Sequence, residues 1–182
     1  MDSDWLNELS DKLINESLRV IRFEFPYMHD RRINGTKRPP NASKVLQSHW
    51  LEVISEHRQY KPIFIGGKSL GGRIASLIAD EANISGLVCL GFPFHAPGKP
   101  AGNRIAHLAS LKTPTLICQG ERDPFGTRSE VKEYSLSSSI KLEWINDGDH
   151  SFKPRKKSGL DLNQNLNTVV KKISAFINSA KQ

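Results

Sequence analysis

The sequence is poor in cysteine, in aromatic residues and in long apolar runs. Its 182 residues include two cysteines, 8% aromatic residues and 37% hydrophobic residues. No apolar run approaches the roughly 18 residues that cross a bilayer, and the acidic N-terminus Met1–Trp5 lacks the basic and apolar segments of a signal peptide. These absences predict a globular cytoplasmic protein of one domain, residues 1–182, with no membrane partner.

The two cysteines and the remaining polar residues give no sign of a cofactor. Cys89 and Cys118 each lie in an apolar, strand-like run. A structural disulfide is an alternative, but two buried free thiols in a reducing compartment are favoured. The sequence has neither a metal-ligand cluster nor a dinucleotide-binding fingerprint, so no metal and no cofactor is predicted.

The net charge of +7 comes largely from two basic clusters. Such patches attract nucleic acid or acidic ligands. Neither cluster has interleaved aromatic residues or a nucleic-acid-binding motif, so a solvated basic surface and no nucleic-acid partner are expected. The clusters are Arg31, Arg32, Lys37 and Arg38, and Lys153, Arg155, Lys156 and Lys157.

Helical and strand-like patterns alternate along the chain. This alternation predicts an α/β fold with a mostly parallel sheet, helices on both faces and active groups at the carboxyl ends of strands. The long polar segment from Tyr27 to Pro40 is expected to be a loop, and Ser3 or Asp2 is expected to cap the first helix. Helical spacing covers residues 4–15, 43–57, 70–82, 105–108, 127–135 and 162–177, and strand patterns cover residues 18–25, 62–65, 85–92, 113–119 and 141–145.

Residues 67–71 read Gly-Lys-Ser-Leu-Gly, between an apolar strand pattern and an apolar helix pattern. A strand–turn–helix with G-x-S-x-G is typical of a nucleophile elbow, in which the flanking glycines allow strand and helix to approach closely. Ser69 is therefore the predicted nucleophile, and the backbone N–H of Leu70 a predicted oxyanion donor. The alternative, a phosphate-binding loop, fails because no glycine lies five residues before Gly67.

An activated serine needs a base and an acid to orient that base. After a nucleophile elbow these follow in the chain order serine, acid, histidine, and this sequence has candidates for both at strand ends. Asp123 comes just after the apolar run 115–118 and is the predicted acid, with Glu121 as the fallback. His150 follows the last strand pattern and is the predicted base. Asp147 and Asp149 are too near His150 in sequence to orient it. The other histidines have worse positions: His29, His49, His57, His95 and His107.

These motifs together resemble one family over almost the whole chain. The segments that carry the resemblance are residues 22–28, 38–40, 66–73, 120–126 and 148–152. The sequence is similar to a dienelactone-hydrolase-like branch of the α/β-hydrolase superfamily, which comprises small bacterial hydrolases and eukaryotic relatives that include a testis-expressed protein and a subunit of a chromatin acetyltransferase complex. The resemblance implies the α/β-hydrolase fold and the roles of Ser69, Asp123 and His150, without a substrate.

The sequence departs from this family at its beginning. Such proteins usually open with strands and a His-Gly-Ala-Gly-type loop that leads into Pro-Met-Asp-Ser, whereas this chain begins Met-Asp-Ser. We expect an N-terminally short version of the family that lacks N-terminal strands and the second oxyanion donor, through a late start assignment or a real truncation. The reading frame upstream of Met1 tests this expectation.

Two functions follow from the sequence. The first is a serine hydrolase that cleaves a small ester, lactone or thioester through an acyl-enzyme. The alternative is a catalytically weak or inactive hydrolase-like interaction module. A small molecule is the expected partner, and the sequence leaves the oligomeric state open. Candidate contacts for a substrate carboxylate are Arg31, Arg32, Arg38 and Arg73, although Arg73 is expected to pack beside the elbow helix.

Overall fold

A computed structural model describes residues 3–35 and 38–180. The chain divides into two compact units, Met1–Lys61 and Pro62–Gln182, and the single domain of residues 1–182 stays a prediction. Asp2 and Lys37 lie outside the described residues. Within those residues, none of the helices combines the length and the hydrophobicity needed to cross a membrane.

In its described residues, the first unit contains three helices: α1 (Asp4–Asn15), α2 (Pro26–Asn34) and α3 (Ser43–Glu56). Ser3 caps α1 by accepting a hydrogen bond from the Leu6 N–H at 3.3 Å. The predicted loop over residues 27–40 is wrong for most of its length, because α2 occupies it. Pro26 starts α2 and Gly35 ends it with φ 65°, the left-handed conformation that terminates many helices.

The predicted strand over residues 18–25 is also wrong. The segment takes part in no ladder and has no regular structure before α2. The segment contacts α3 instead of a neighbouring strand. The Phe23 ring packs edge-on against Trp50 of α3, with 4.5 Å between ring centroids, and the His49 side chain of α3 is hydrogen-bonded through Nε2 to the Glu24 backbone carbonyl at 2.9 Å. A strand pattern becomes a strand only where a neighbour satisfies its backbone groups, and this segment is held by α3 instead.

The described part of the second unit, residues 62–180, has four parallel strands, and their order in the sheet is their order in the chain: β1 (Phe64–Lys68), β2 (Gly86–Leu90), β3 (Thr115–Gly120) and β4 (Ile140–Ile145). Three helices accompany them: α4 (Leu70–Ile78), α5 (Arg128–Val131) and α6 (Leu162–Ser179). Two 3₁₀ helices cover Gly102–Ala109 and Lys156–Ser158. β2 and β3 are buried along their whole lengths, as expected for strands covered on both faces. The predicted α/β class is confirmed.

The cysteines show that helices cover both faces of this sheet. Cys89 is paired in register with Ile117, so Cys89 and Cys118 point to opposite faces. The Cys89 thiol contacts the Gly72 carbonyl of α4, whereas Cys118 lies near Lys172 of α6. Both thiols are free and buried, and burial raises the pKa of Cys118 to about 12. The predicted pair of buried free thiols agrees with this arrangement.

Candidate active site

Ser69 occupies the turn between β1 and α4 in a strained conformation. Its φ is 52° and its ψ is −117°, values that a non-glycine residue rarely adopts. Such strain costs about 1–3 kcal/mol and persists only where the surroundings impose it. The Ser69 N–H donates to the Leu90 carbonyl at 2.9 Å, which ties the turn to the end of β2. Leu70 then begins α4, so its N–H has no acceptor within the helix.

Two glycines allow this turn. They are Gly67, as expected, and Gly72, in place of the expected Gly71. A Cβ at Gly67 would lie 2.5 Å from backbone atoms of Gly71 and Gly72, and a Cβ at Gly72 would lie 2.6 Å from the Gly67 carbonyl oxygen. A Cβ at Gly71 would meet nothing within 4 Å. The close approach of strand and helix therefore depends on Gly67 and Gly72, and the expectation that Gly71 is needed for it is wrong.

Asp123, just after β3, and His150, in the loop after β4, are hydrogen-bonded to each other. His150 Nδ1 lies 2.8 Å from Asp123 Oδ2, and the Asp123 carboxylate is completely buried. A carboxylate acceptor at Nδ1 fixes the proton there, which leaves the Nε2 lone pair of the neutral imidazole free to accept a proton. The ring of Phe125 packs against the imidazole at 4.5 Å between centroids. The pair thus has the geometry of an oriented general base.

The end of β2 lies between Ser69 and this pair. The Leu90 carbonyl accepts the Ser69 N–H, and a Cβ on the next residue, Gly91, would come within 2.8 Å of the His150 carbonyl oxygen and 3.2 Å of its Nδ1. Gly91 has φ 61° and leaves this space open. The three predicted residues are therefore gathered at one edge of the sheet. Within the described chain the Ser69 hydroxyl has no hydrogen-bond partner, and apo active sites often have such loose contacts.

Residues 1–178 match the alpha/beta hydrolase domain family. The chain belongs to that family. Among solved structures it is similar to an alpha-beta serine hydrolase homologue from Coxiella burnetii, with 18% identity, a TM-score of 0.68 and coverage of 96% of this chain and 76% of that one. It is also similar to a monoacylglycerol lipase from Paleococcus ferrophilus, with 13% identity, a TM-score of 0.71 and coverage of 96% of this chain and 90% of that one. A third similar structure is a serine hydrolase without a lid from Xanthomonas campestris, with 18% identity, a TM-score of 0.63 and coverage of 94% of this chain and 74% of that one. At these identities the structures share the alpha/beta hydrolase fold.

The remaining carboxylates predicted near the site of this alpha/beta hydrolase domain have other partners. Glu121 accepts the Asp147 N–H at 3.0 Å and pairs with Arg128 at 3.2 Å. Asp149 accepts the Ser151 N–H at 2.8 Å within its own loop. Among the described residues, only Asp123 bonds to His150. Within residues 3–35 and 38–180 no group of three or more His, Cys, Asp or Glu side chains could hold a metal ion.

Two supporting residues were not foreseen from the sequence. Gln119, at the end of β3, donates from Nε2 to Asp123 Oδ2 at 2.9 Å and accepts the Phe92 N–H on Oε1 at 2.7 Å. Lys68, beside Ser69, lies near Asp123 and Asp149; burial lowers the pKa of its ammonium group, although both carboxylates act in the opposite direction. A glutamine inside an apolar strand is the sequence signal that could have identified the first of them, because buried polar groups need partners.

Replacement of Gln119 by Met is expected to destabilise the fold. The substitution keeps a similar volume but leaves the Phe92 N–H without its acceptor, and the Asp123 carboxylate loses one donor. A buried polar group without a partner costs about 1–3 kcal/mol, so we expect the free energy of unfolding to fall by about 2–4 kcal/mol. Urea denaturation monitored by circular dichroism measures this, and an unchanged midpoint would contradict it.

The loop that carries His150 is fixed at its base by Asp147. This residue, at φ 50°, accepts hydrogen bonds from the Arg155 backbone N–H at 2.7 Å and from Arg155 Nε at 2.8 Å. Arg122 Nε donates to the Asp147 carbonyl at 2.9 Å. Asn165 of α6 adds bonds to the carbonyls of Asn146 and Phe152. The basic side chain of Arg155 is therefore part of the loop's structure.

Asp147 gives the stability of this loop a defined pH dependence. Hydrogen bonds from Arg155 lower the pKa of the Asp147 carboxyl from its ordinary 3.8 to about 2. A lowered pKa stabilises the fold above the ordinary value, and the contribution disappears as the pH falls through the lowered one. We expect Asp147→Asn to lower Tm by a constant amount near neutral pH and the difference to shrink between about pH 4 and about pH 2. A Tm difference that widens on acidification would contradict this.

Proposed function

We propose that this protein is a serine hydrolase with Ser69 as nucleophile, His150 as base and Asp123 as the acid that orients it. The observation that carries the proposal is the 2.8 Å bond from His150 Nδ1 to the fully buried Asp123, at the same edge of the sheet as a serine held at φ 52°. Membership of the alpha/beta hydrolase domain family supports the same chemistry.

In the proposed reaction, Ser69 Oγ attacks the carbonyl carbon of an ester while His150 Nε2 takes the hydroxyl proton. The Leu70 N–H donates to the oxyanion that forms, aided by the positive end of the α4 dipole. The carbon–oxygen bond to the alcohol then breaks, and His150 returns the proton to the leaving oxygen. In the second step His150 takes a proton from water, whose oxygen attacks the acyl carbon. The bond from that carbon to Ser69 Oγ then breaks, His150 returns the proton to Oγ, and the carboxylic acid leaves. Asp123 stabilises the imidazolium in both steps without taking its proton.

The proposed substrate is a small ester, lactone or thioester, in keeping with the sequence resemblance to the dienelactone-hydrolase-like branch. The Paleococcus ferrophilus structure is named a monoacylglycerol lipase, and acylglycerols are carboxylic esters. Action on a small molecule in the cytoplasm, without nucleic acid, remains part of the proposal. The alternative of an inactive interaction module is not favoured by these comparisons.

Hydrolysis of short-chain p-nitrophenyl esters tests the proposal. We expect turnover by the wild type above the rate in buffer, and loss of that turnover in Ser69→Ala. Ser129→Ala is the matched control, since Ser129 is exposed on α5 and its hydroxyl contacts Thr127 rather than any residue of the proposed triad; it should keep the wild-type rate. Equal rates for the wild type and Ser69→Ala would contradict the proposal.

A further inference from the structure

Phe125 contacts both the proposed acid and the proposed base. Its backbone N–H donates to Asp123 Oδ1 at 2.9 Å, and its ring lies 4.5 Å from the His150 imidazole between centroids, with the two planes tilted by 40°. The other carboxylate oxygen, Oδ2, is the one that bonds to His150 Nδ1. Phe125 therefore contacts the acid through its backbone and the base through its side chain.

The bond between Asp123 and His150 does not by itself fix the imidazole. A ring held at one nitrogen can still turn about that hydrogen bond, whereas the proposed proton transfer requires Nε2 to keep one direction. The His150 side chain is 22% exposed, so solvent leaves room for such a rotation. Two neighbours border the ring: Gly91, where a Cβ would come within 3.2 Å of Nδ1 and 3.3 Å of Cε1, and the Phe125 ring. Of these two contacts, the one with Phe125 is made by a side chain and can be removed by substitution.

The backbone of Phe125 is fixed independently of its ring. Its carbonyl accepts the His95 N–H at 3.2 Å, and the N–H of the next residue, Gly126, donates to the Asp123 carbonyl at 3.1 Å. Gln119 Nε2 donates to the Gly126 carbonyl at 3.3 Å. A substitution of the Phe125 side chain leaves the donors and acceptors of all these bonds in place, so it removes the ring and spares the bond from the Phe125 N–H to Asp123.

His95 connects this backbone to the loop that follows β2. Its side chain is 5% exposed, with Nδ1 2.9 Å from the Ala96 carbonyl and Nε2 3.4 Å from a Glu130 carboxylate oxygen of α5. Glu130 also accepts the Thr127 N–H at 2.8 Å, at the start of α5. Because the His95 side chain is enclosed between these groups, the donor to the Phe125 carbonyl has a fixed position.

We propose that Phe125 is a positioning residue for the proposed triad: its ring holds the His150 imidazole in the one orientation in which Nδ1 bonds to Asp123, so that Nε2 keeps a constant direction. The observation that carries this assignment is a single residue that donates to the acid and packs against the base. Its role in catalysis rests on the proposed serine hydrolase function, whereas the positioning itself can be measured without turnover.

Proton NMR measures the positioning without turnover. The proton of a histidine Nδ1–H bonded to a carboxylate resonates downfield of the amide protons and is observed only while it exchanges slowly with water. Its absence from Asp123→Asn assigns the signal. We expect the signal in the wild type and in Phe125→Tyr, which keeps an aromatic ring at the position, and broadening beyond detection in Phe125→Ala.

Phe176→Ala is the matched control for this measurement. Like Phe125, Phe176 is half-buried in the second unit, but its ring packs against Phe64 of β1, with 5.9 Å between centroids. The substitution therefore removes a comparable ring without touching the proposed triad, and the signal should remain. Absence of the signal from the folded wild type, or an unchanged line width in Phe125→Ala, would overturn the proposal.

Turnover of p-nitrophenyl butyrate then separates this proposal from the proposed function. We expect Phe125→Ala to lower kcat roughly tenfold and to change KM by less than about twofold, because a misdirected base slows the chemical step and not substrate binding. Phe125→Tyr should restore most of kcat, and Phe176→Ala should keep the wild-type kcat. If the wild type hydrolyses the ester and Phe125→Ala keeps its kcat, or Phe176→Ala loses as much, the positioning role is wrong and the hydrolase stands. If the ester is not hydrolysed while the NMR signal is present in the wild type and lost in Phe125→Ala, the positioning stands and the hydrolase function is wrong.

Discussion

Asp123→Asn is expected to lower kcat for ester hydrolysis by roughly 10³- to 10⁴-fold. An asparagine amide at this position can donate to His150 Nδ1, which favours the tautomer with its proton on Nε2. That tautomer cannot accept the Ser69 proton, and the imidazolium formed during catalysis loses its stabilising charge. Steady-state kinetics with a p-nitrophenyl ester measures the effect, and circular dichroism checks that the variant is folded.

Glu121→Gln is the matched control for this prediction. Glu121 is two residues from Asp123 and was the fallback acid from the sequence, but its carboxylate pairs with Arg128 and the Asp147 N–H. The glutamine side chain can still accept the bond from Asp147. We expect a change in kcat of less than about threefold, because exposed ion pairs contribute little. A larger loss in Glu121→Gln than in Asp123→Asn would assign the acid to Glu121 and contradict the site.

Gly67→Ala is expected to destabilise the protein more than any surface substitution. Its new methyl group would lie 2.5 Å from backbone atoms of Gly71 and Gly72, and backbone cannot move aside as a flexible side chain does. Forced overpacking typically costs about 1–3 kcal/mol and sometimes more, so β1 and α4 should separate at the turn that holds Ser69. Chemical denaturation should show a lower midpoint, with a matching loss of esterase activity.

Gly71→Ala provides the contrast within the same motif. The position meets nothing within 4 Å and lies in the first turn of α4, where alanine is preferred to glycine by about 0.5–1 kcal/mol. We expect an unchanged or raised midpoint. If Gly71→Ala proves as damaging as Gly67→Ala, the glycines act through backbone conformation and our description of the elbow packing is wrong.

Strands β2 and β3 and helix α6 of the second unit were predictable because their apolar patterns are continuous, whereas the predicted helix over residues 127–135 is only the four-residue α5. The apolar runs that became β2 and β3 are buried on both faces, and the α6 stripe repeats over many turns. The first unit shows where a pattern fails. Residues 18–25 have strand-forming side chains, but a ladder needs a neighbour that local sequence does not specify. Helix α2 was missed although Pro26 and Gly35 are its start and stop signals, because its residues are mostly polar.

The proposed catalytic residues were easier to predict than the residues that position them. Ser69, Asp123 and His150 could be selected from strand-end position and chain order, which are local properties. The role of Gln119 depends on the Phe92 N–H, which is 27 residues away in sequence. The role of Gly72 depends on how the turn folds it back against the Gly67 carbonyl. Such contacts exist only after folding, so spacing alone could not reveal them.

Labelling with a fluorophosphonate probe tests whether Ser69 is an activated nucleophile. The probe phosphonylates a serine only when a base activates it, and peptide mass spectrometry identifies the modified residue. We predict one label per chain, on Ser69, formed slowly in Asp123→Asn and absent in Ser69→Ala. A folded protein that stays unlabelled, or a label on any other serine, would contradict the account.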